Sequence, residues 1–222
     1  MAPLRVRAVL LALVLALGAS GCGGGDDDKE TTLGASDLKG FLITPADLPE
    51  GYKVQTEQDS TDPQKCVGGT SARARAVGAK FEELGLQACT SSTYRKRREG
   101  AIDKNNTPGA TVIAMKSEDD AKKALPELRK ALVASYKPSG TASAGQQDEI
   151  PVSDLGEESL PGAKLTTDLG ALGGDFDLYI YFWRRDNVLV WMGSTDILGD
   201  FDEESTLTLA KKIDGRIAGD DA

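Results

Sequence analysis

The chain predicts an α+β fold: an antiparallel sheet with helices packed on one face and one disulfide. Three observations carry this. Residues 176–195 read as a β-hairpin, aromatic and β-branched on both sides of an Arg185-Asp186-Asn187 turn. Helical periodicity is interleaved with short strands, with no repeated strand-helix-strand unit and no internal repeat. Two cysteines, Cys66 and Cys89, stand 23 residues apart within the folded part.

Leu38, Phe41, Leu42 and Leu48 make an apolar entry segment. Inside it, Thr44-Pro45-Ala46-Asp47 has the form of a helix start, with Thr as cap, Pro in the first helical position and Asp three residues after the cap. Pro49 and Gly51 end that turn. Tyr52 to Gln55 alternates and begins a strand, and the polar stretch Glu57 to Pro63 reads as a loop. Ser71 to Leu84 is helix-like, with Ala76, Val77, Lys80, Phe81 and Leu84 on related faces and Gly85 as its stop. Leu86 to Tyr94, rich in Thr and Ser, is a strand, and Thr111 to Met115 is another.

Glu118 to Ala134 carries the clearest helical stripe, Ala121, Ala124, Leu125, Leu128, Leu132 and Val133, behind Ser117 as cap. Pro126 within it predicts a kink or a break. Lys137 to Gln147 reads as a loop, and Ile150 to Leu155 and Gly162 to Thr167 as short strands. After the hairpin, Ser205 caps a last helix through Ala218, with Leu207, Leu209, Ala210, Ile213 and Ile217 inward.

The N-terminal segment is of a different kind. Arg5 and Arg7 precede an unbroken apolar run from Ala8 to Leu17, ten residues, where a bilayer-spanning helix needs about 20. Small residues follow, Gly18-Ala19-Ser20-Gly21, then Cys22 and a polar stretch, Gly23-Gly24-Gly25-Asp26-Asp27-Asp28. The arrangement resembles the lipobox of bacterial lipoproteins, although the residue three before the cysteine, usually Leu, is Ala19. The resemblance implies removal of residues 1–21, diacylation of Cys22 and attachment to the cell membrane on its extracytoplasmic side. Residues 22–36 then form a flexible acidic, Gly-rich tether and 37–222 a single globular domain.

Without residues 1–21 the chain keeps 24 basic residues against 35 acids, a net charge of −11. That surface argues against nucleic acid as a partner and suits a solvated extracytoplasmic protein. Cys66 and Cys89 remain as an even pair, which in an oxidising compartment reads as a disulfide; no Cys-x-x-Cys spacing suggests redox chemistry. Closing that loop restricts the unfolded chain by about 3 kcal/mol. There is no histidine. Ser-His-Asp and Cys-His catalysis and His-ligated zinc are therefore excluded, and no cofactor is implied.

Three clusters are candidate sites. Arg95-Lys96-Arg97-Arg98 is a basic run suited to an anion, or to nothing more than a solvated strand end. Asp200, Asp202, Glu203 and Glu204 suggest calcium. However, Ser205 stands where an EF-hand loop needs Gly and Lys211 where it needs Glu, and acids also suit a helix N-terminus, so no metal is assigned. Tyr179, Tyr181 and Trp183 alternate onto one strand face, with Ile180 and Phe182 on the other and Trp191 on the next strand. These aromatics are either core or the lining of a binding surface.

The segments Leu42-Ile43-Thr44-Pro45-Ala46-Asp47-Leu48-Pro49, Asp119-Asp120-Ala121 and Trp183-Arg184-Arg185-Asp186-Asn187-Val188 resemble actinobacterial surface lipoproteins and the extracytoplasmic sensor domains of PknH-type kinases. A PsbP/Mog1-like sheet, as in LpqN-type lipoproteins, is a second resemblance. Both imply a non-enzymatic sensing or binding role, for a small molecule, cell-wall fragment or protein, and carry over no catalytic residue. The alternatives are a carboxylate-dependent envelope hydrolase and a structural envelope protein without a ligand.

Overall fold

Hairpin chemistry sets the centre of the sheet. β6 (Asp175–Arg185) and β7 (Val188–Asp196) pair antiparallel around Asp186 and Asn187. Asp186 adopts φ +49°, a left-handed angle that a short polar side chain tolerates. Asn187 then bolts the turn to the next strand, its Nδ2 donating to the Met115 carbonyl at 2.7 Å. The computed structural model describes residues 32–67, 72–96, 107–135, 146–168, 175–196 and 199–220.

Around this hairpin stand β1 (Lys53–Ser60), β2 (Leu86–Arg95), β3 (Gly109–Met115), β4 (Gln147–Ile150) and β5 (Glu158–Asp168). The order is β1-β2-β3-β7-β6-β5-β4, with every pair antiparallel. The fold is the predicted α+β, an antiparallel sheet with helices packed on one face and a Cys66–Cys89 disulfide. That face carries α2 (Pro63–Cys66), α3 (Ala72–Glu83) and α4 (Glu118–Ser135). Helical cover extends further: α1 (Ala35–Lys39) and α5 (Glu203–Ala218) lie on the opposite face.

The predicted α4 stripe is buried in full, Ala121, Ala124, Leu125, Leu128, Leu132 and Val133, against Ile180, Phe182 and Leu189. Each buried Leu or Val contributes about 1.5–3 kcal/mol. Pro126 does not break the helix, which runs unbroken to Ser135; its ring lies on the exposed side, where only one intrahelical hydrogen bond is lost. Ser117 Oγ accepts from the Asp120 amide, the expected cap.

Several strand boundaries differ from the sequence reading. Glu57 to Ser60 continues β1 instead of looping. It is the exposed outer strand, so pairing with β2 replaces apolar alternation as the reason to extend. Asp62 then caps the short α2, its Oδ1 accepting from the Gln64 amide at 3.0 Å, with Pro63 in the first helical position. β4 spans Gln147 to Ile150, not Ile150 to Leu155, because Pro151 cannot donate to a ladder. β5 starts four residues earlier than expected and absorbs Pro161-Gly162 at a bulge between Leu160 and Ala163. The disulfide joins α2 to β2 with Cα atoms 5.6 Å apart and both cysteines buried.

Between β4 and β5 the chain passes close under the hairpin. At Gly156, φ +66°, a Cβ would stand 2.3 Å from the Arg184 carbonyl oxygen and 2.8 Å from Trp183 Cδ1. The Gly156→Ala variant is expected to lose at least about 2 kcal/mol in urea unfolding, from backbone strain plus overpacking. A loss below about 0.5 kcal/mol would show that the loop moves aside instead.

Candidate binding groove

α5 begins about one turn earlier than the sequence reading places it. Asp202, not Ser205, is its cap: Asp202 Oδ1 accepts from the Ser205 amide at 2.8 Å and from the Ser205 hydroxyl at 2.6 Å. These bonds hold the Asp202 carboxyl below the usual range. The helix ends at Gly219, φ +76°. Four contacts seat it on the sheet: the Tyr181 hydroxyl donates to the Glu203 carbonyl at 3.0 Å, Ser194 and Thr206 share a buried hydroxyl hydrogen bond, Arg185 forks onto Asp214 at 3.0 and 2.8 Å, and Leu209, Ala210 and Ile213 fill the core.

The last turn of α5 meets the Thr44-Pro45-Ala46-Asp47 segment, a 3₁₀ turn at Pro45–Asp47. Asp47 Oδ2 accepts from the Thr44 amide at 2.7 Å, as the sequence predicts for a capping pair. Arg216 Nη2 reaches both Asp47 oxygens at 2.9 and 2.8 Å, Lys212 Nζ stands 3.4 Å away, and Arg216 Nη1 donates to the Leu42 carbonyl at 2.6 Å. Burial alone would raise the Asp47 pKa; the Arg216 and Thr44 hydrogen bonds outweigh it and hold the carboxyl at about 2.

Between this turn, the Asp200–Asp202 segment and the flank of α5 lies a groove of about 520 Å³, open to solvent. Leu48, Phe201 and Leu209, all buried, form its apolar floor. Glu204, Thr208 and Lys212 line its helical wall. At the far rim Asp200 accepts from the Tyr52 hydroxyl at 3.1 Å and pairs with Lys96 at 3.3 Å. Tyr52 in turn packs edge-on against Phe201, ring centroids 5.3 Å apart.

The residues singled out by sequence are distributed differently from expectation. Tyr179, Tyr181 and Trp183 are buried, with exposures of 6%, 0% and 0%, in a core they share with Leu209, Ala210 and Ile213 of α5. Trp191 does not join them. It lies opposite Phe182 in the β6–β7 register and packs into the α4 core. Burial raises the Tyr181 phenol far above the ordinary tyrosine range. Of the basic run, Lys96 is engaged at Asp200 and Arg95 is half-buried, while Arg97 and Arg98 lie outside the described residues. Asp200 and Asp202 are at the groove, Asp202 as a cap; Glu203 gives its carbonyl to Tyr181, and Glu204 lines the wall. Cys22 also lies outside the described residues.

Sequence reasoning did not single out Arg184. Its side chain is only 7% exposed, at the hairpin end, and it binds Glu158 at 2.8 Å, Glu157 at 3.1 Å and Glu118 at 3.3 Å. Burial alone would lower its pKa, but these carboxylates raise it. The facing acids are 38–50% exposed and stay hydrated without Arg184, so its removal costs less than breaking a fully buried pair. The cluster joins α4, β5 and the hairpin, and it is a structural clamp.

The chain matches no protein-family model and no curated protein. Its fold does match solved structures. The extracellular domain of PknH from Mycobacterium tuberculosis superposes with a TM-score of 0.58 at 12% identity, covering 86% of this chain and 99% of that one. A putative uncharacterized protein from Mycobacterium smegmatis, the Rv0999 ortholog, gives a TM-score of 0.41 at 15% identity, covering 80% of this chain and 95% of that one. The first likeness shows a shared fold, in keeping with the PknH-type resemblance read from the sequence. Among the described residues no helix is long and apolar enough to cross a membrane.

Asp47 makes stability depend on pH in a definite direction. Its folded pKa of about 2 is below the ordinary value of 3.8, so its contribution is complete above about pH 4 and is lost as pH falls towards 2. The loss is expected to be about 2 kcal/mol between pH 5 and pH 2. The Asp47→Asn variant, compared by denaturant titration at both pH values, should lack that component. An unchanged acid slope would show that Asp47 is not the linked group.

Proposed function

We propose that this chain is a lipid-anchored extracytoplasmic binding module, held to the membrane through Cys22, with the groove between the 3₁₀ turn and α5 as its ligand site. The groove carries the reading: an apolar floor under a rim of fixed charges, the common make-up of a small-ligand site. Asp47 and Asp202 are both held as anions and so offer no proton for acid catalysis. A non-enzymatic module is thereby favoured over a carboxylate-dependent hydrolase. The Cys66–Cys89 disulfide supports the extracytoplasmic location, since such bonds persist in oxidising compartments. The N-terminal signal pattern ending at Cys22 supports the anchor.

The anchor is tested by Cys22→Ala in the full chain. The variant is expected in the soluble fraction of cells while the parent chain sediments with membranes and enters detergent; a variant still bound to membranes would remove the lipid from the proposal.

The groove is tested by thermal shift of the detergent-solubilised full chain against cell-wall fragments and metabolites. A ligand at 100 times its Kd adds about 2.7 kcal/mol of stability. Thr208→Trp, which fills the groove from an exposed helical position, should abolish that shift while leaving the unliganded melting temperature within about 2 °C. An undiminished shift in the variant would place the ligand elsewhere.

A further inference from the structure

The groove is electrically lopsided along its length. Glu204, Thr208 and Lys212 succeed one another at intervals of four on one face of α5. Glu204 and Lys212 are therefore separated by about 12 Å along the helix axis, at about 1.5 Å per residue. Both side chains lean towards the helix N-terminus, so the offset between their charged ends is preserved.

The two ends differ in net charge once internal pairs are counted. At the Glu204 end, Lys96 answers Asp200, while Asp202 uses Oδ1 for its cap. The Glu204 carboxylate has no partner among the described residues, and two negative charges are in excess there. At the other end, Asp47 is already satisfied by the forked Arg216. Lys212 has only a 3.4 Å contact to that same carboxylate and is 39% exposed, so one positive charge is in excess with donors to spare. Leu48, Phe201 and Leu209 run between the two ends.

We infer that the groove takes a short, extended, zwitterionic peptide of three or four residues. Its amino group is received at Asp202 and Glu204, and its terminal carboxylate at Lys212. The length follows from spacing: an extended residue spans about 3.3 Å, so about 12 Å needs three to four. The polarity follows from the excess charges, and small apolar side chains suit the floor. This inference rests on the groove being the ligand site.

The test uses tetra-alanine with free termini, its N-acetyl and C-amide derivatives, and di-alanine, titrated calorimetrically into the detergent-solubilised full chain. Tetra-alanine should bind, with each blocked end weakening affinity about tenfold and di-alanine, too short to reach both ends, weakened similarly. Glu204→Gln should reduce the penalty for the N-acetyl group and leave the C-amide penalty intact; Lys212→Gln should do the reverse. Equal affinities for free and blocked peptides, or penalties that survive both variants, would overturn the inference. If peptides fail while another ligand gives a shift that Thr208→Trp abolishes, the peptide inference falls and the groove stands. If nothing that binds is sensitive to Thr208→Trp, both fall.

Discussion

The central strands are apolar on both faces, and most of the architecture answers that constraint. Along β6, Ile180 and Phe182 point one way, and Tyr179, Tyr181 and Trp183 the other. Neither face can be left to water, since each buried aromatic or aliphatic side chain is worth about 1.5–3 kcal/mol. α4 closes the first face and α5 the second. Because α5 is the lid over the tyrosines, what holds α5 down also decides the surface that the protein presents.

The contacts of α5 are graded along its length. Near its start it is fastened by the Tyr181 hydroxyl and by the Ser194–Thr206 pair, and near its end by Arg185 on Asp214 and Arg216 on Asp47. These inward bonds leave the flank through Glu204, Thr208 and Lys212 turned towards the 3₁₀ turn, with a gap between them. The groove is a consequence of seating a helix against a capped turn. Asp47 belongs to both, closing its own turn through Thr44 and receiving the helix through Arg216.

Much of this was legible in the residues. The α4 stripe, the hairpin, the Thr44–Asp47 capping pair and the pairing of Cys66 with Cys89 rest on local periodicity, turn chemistry or cysteine arithmetic, and all are present. β1 was half legible, because an exposed edge strand has no buried face to impose alternation on Glu57 to Ser60. The cap of α5 was not legible, since Asp202 and Ser205 are both good capping residues and only the fold selects between them. The aromatic strand was legible as two-faced; whether the tyrosine face met water or a helix depended on α5, some 20 residues later in the chain.

By itself the sequence determined the class of fold, the helical stripe, the hairpin and the exclusion of histidine chemistry, because each follows from residue types at short spacing. Tertiary structure alone decided the site. Asp47 finds Arg216 across 169 residues, Tyr52 finds Asp200 across 148, and Arg184 finds Glu118 across 66. No local pattern encodes such pairings, because they depend on which face each helix turns to the sheet. The same fact makes the aromatic strand core and leaves the flank of α5 lining the groove.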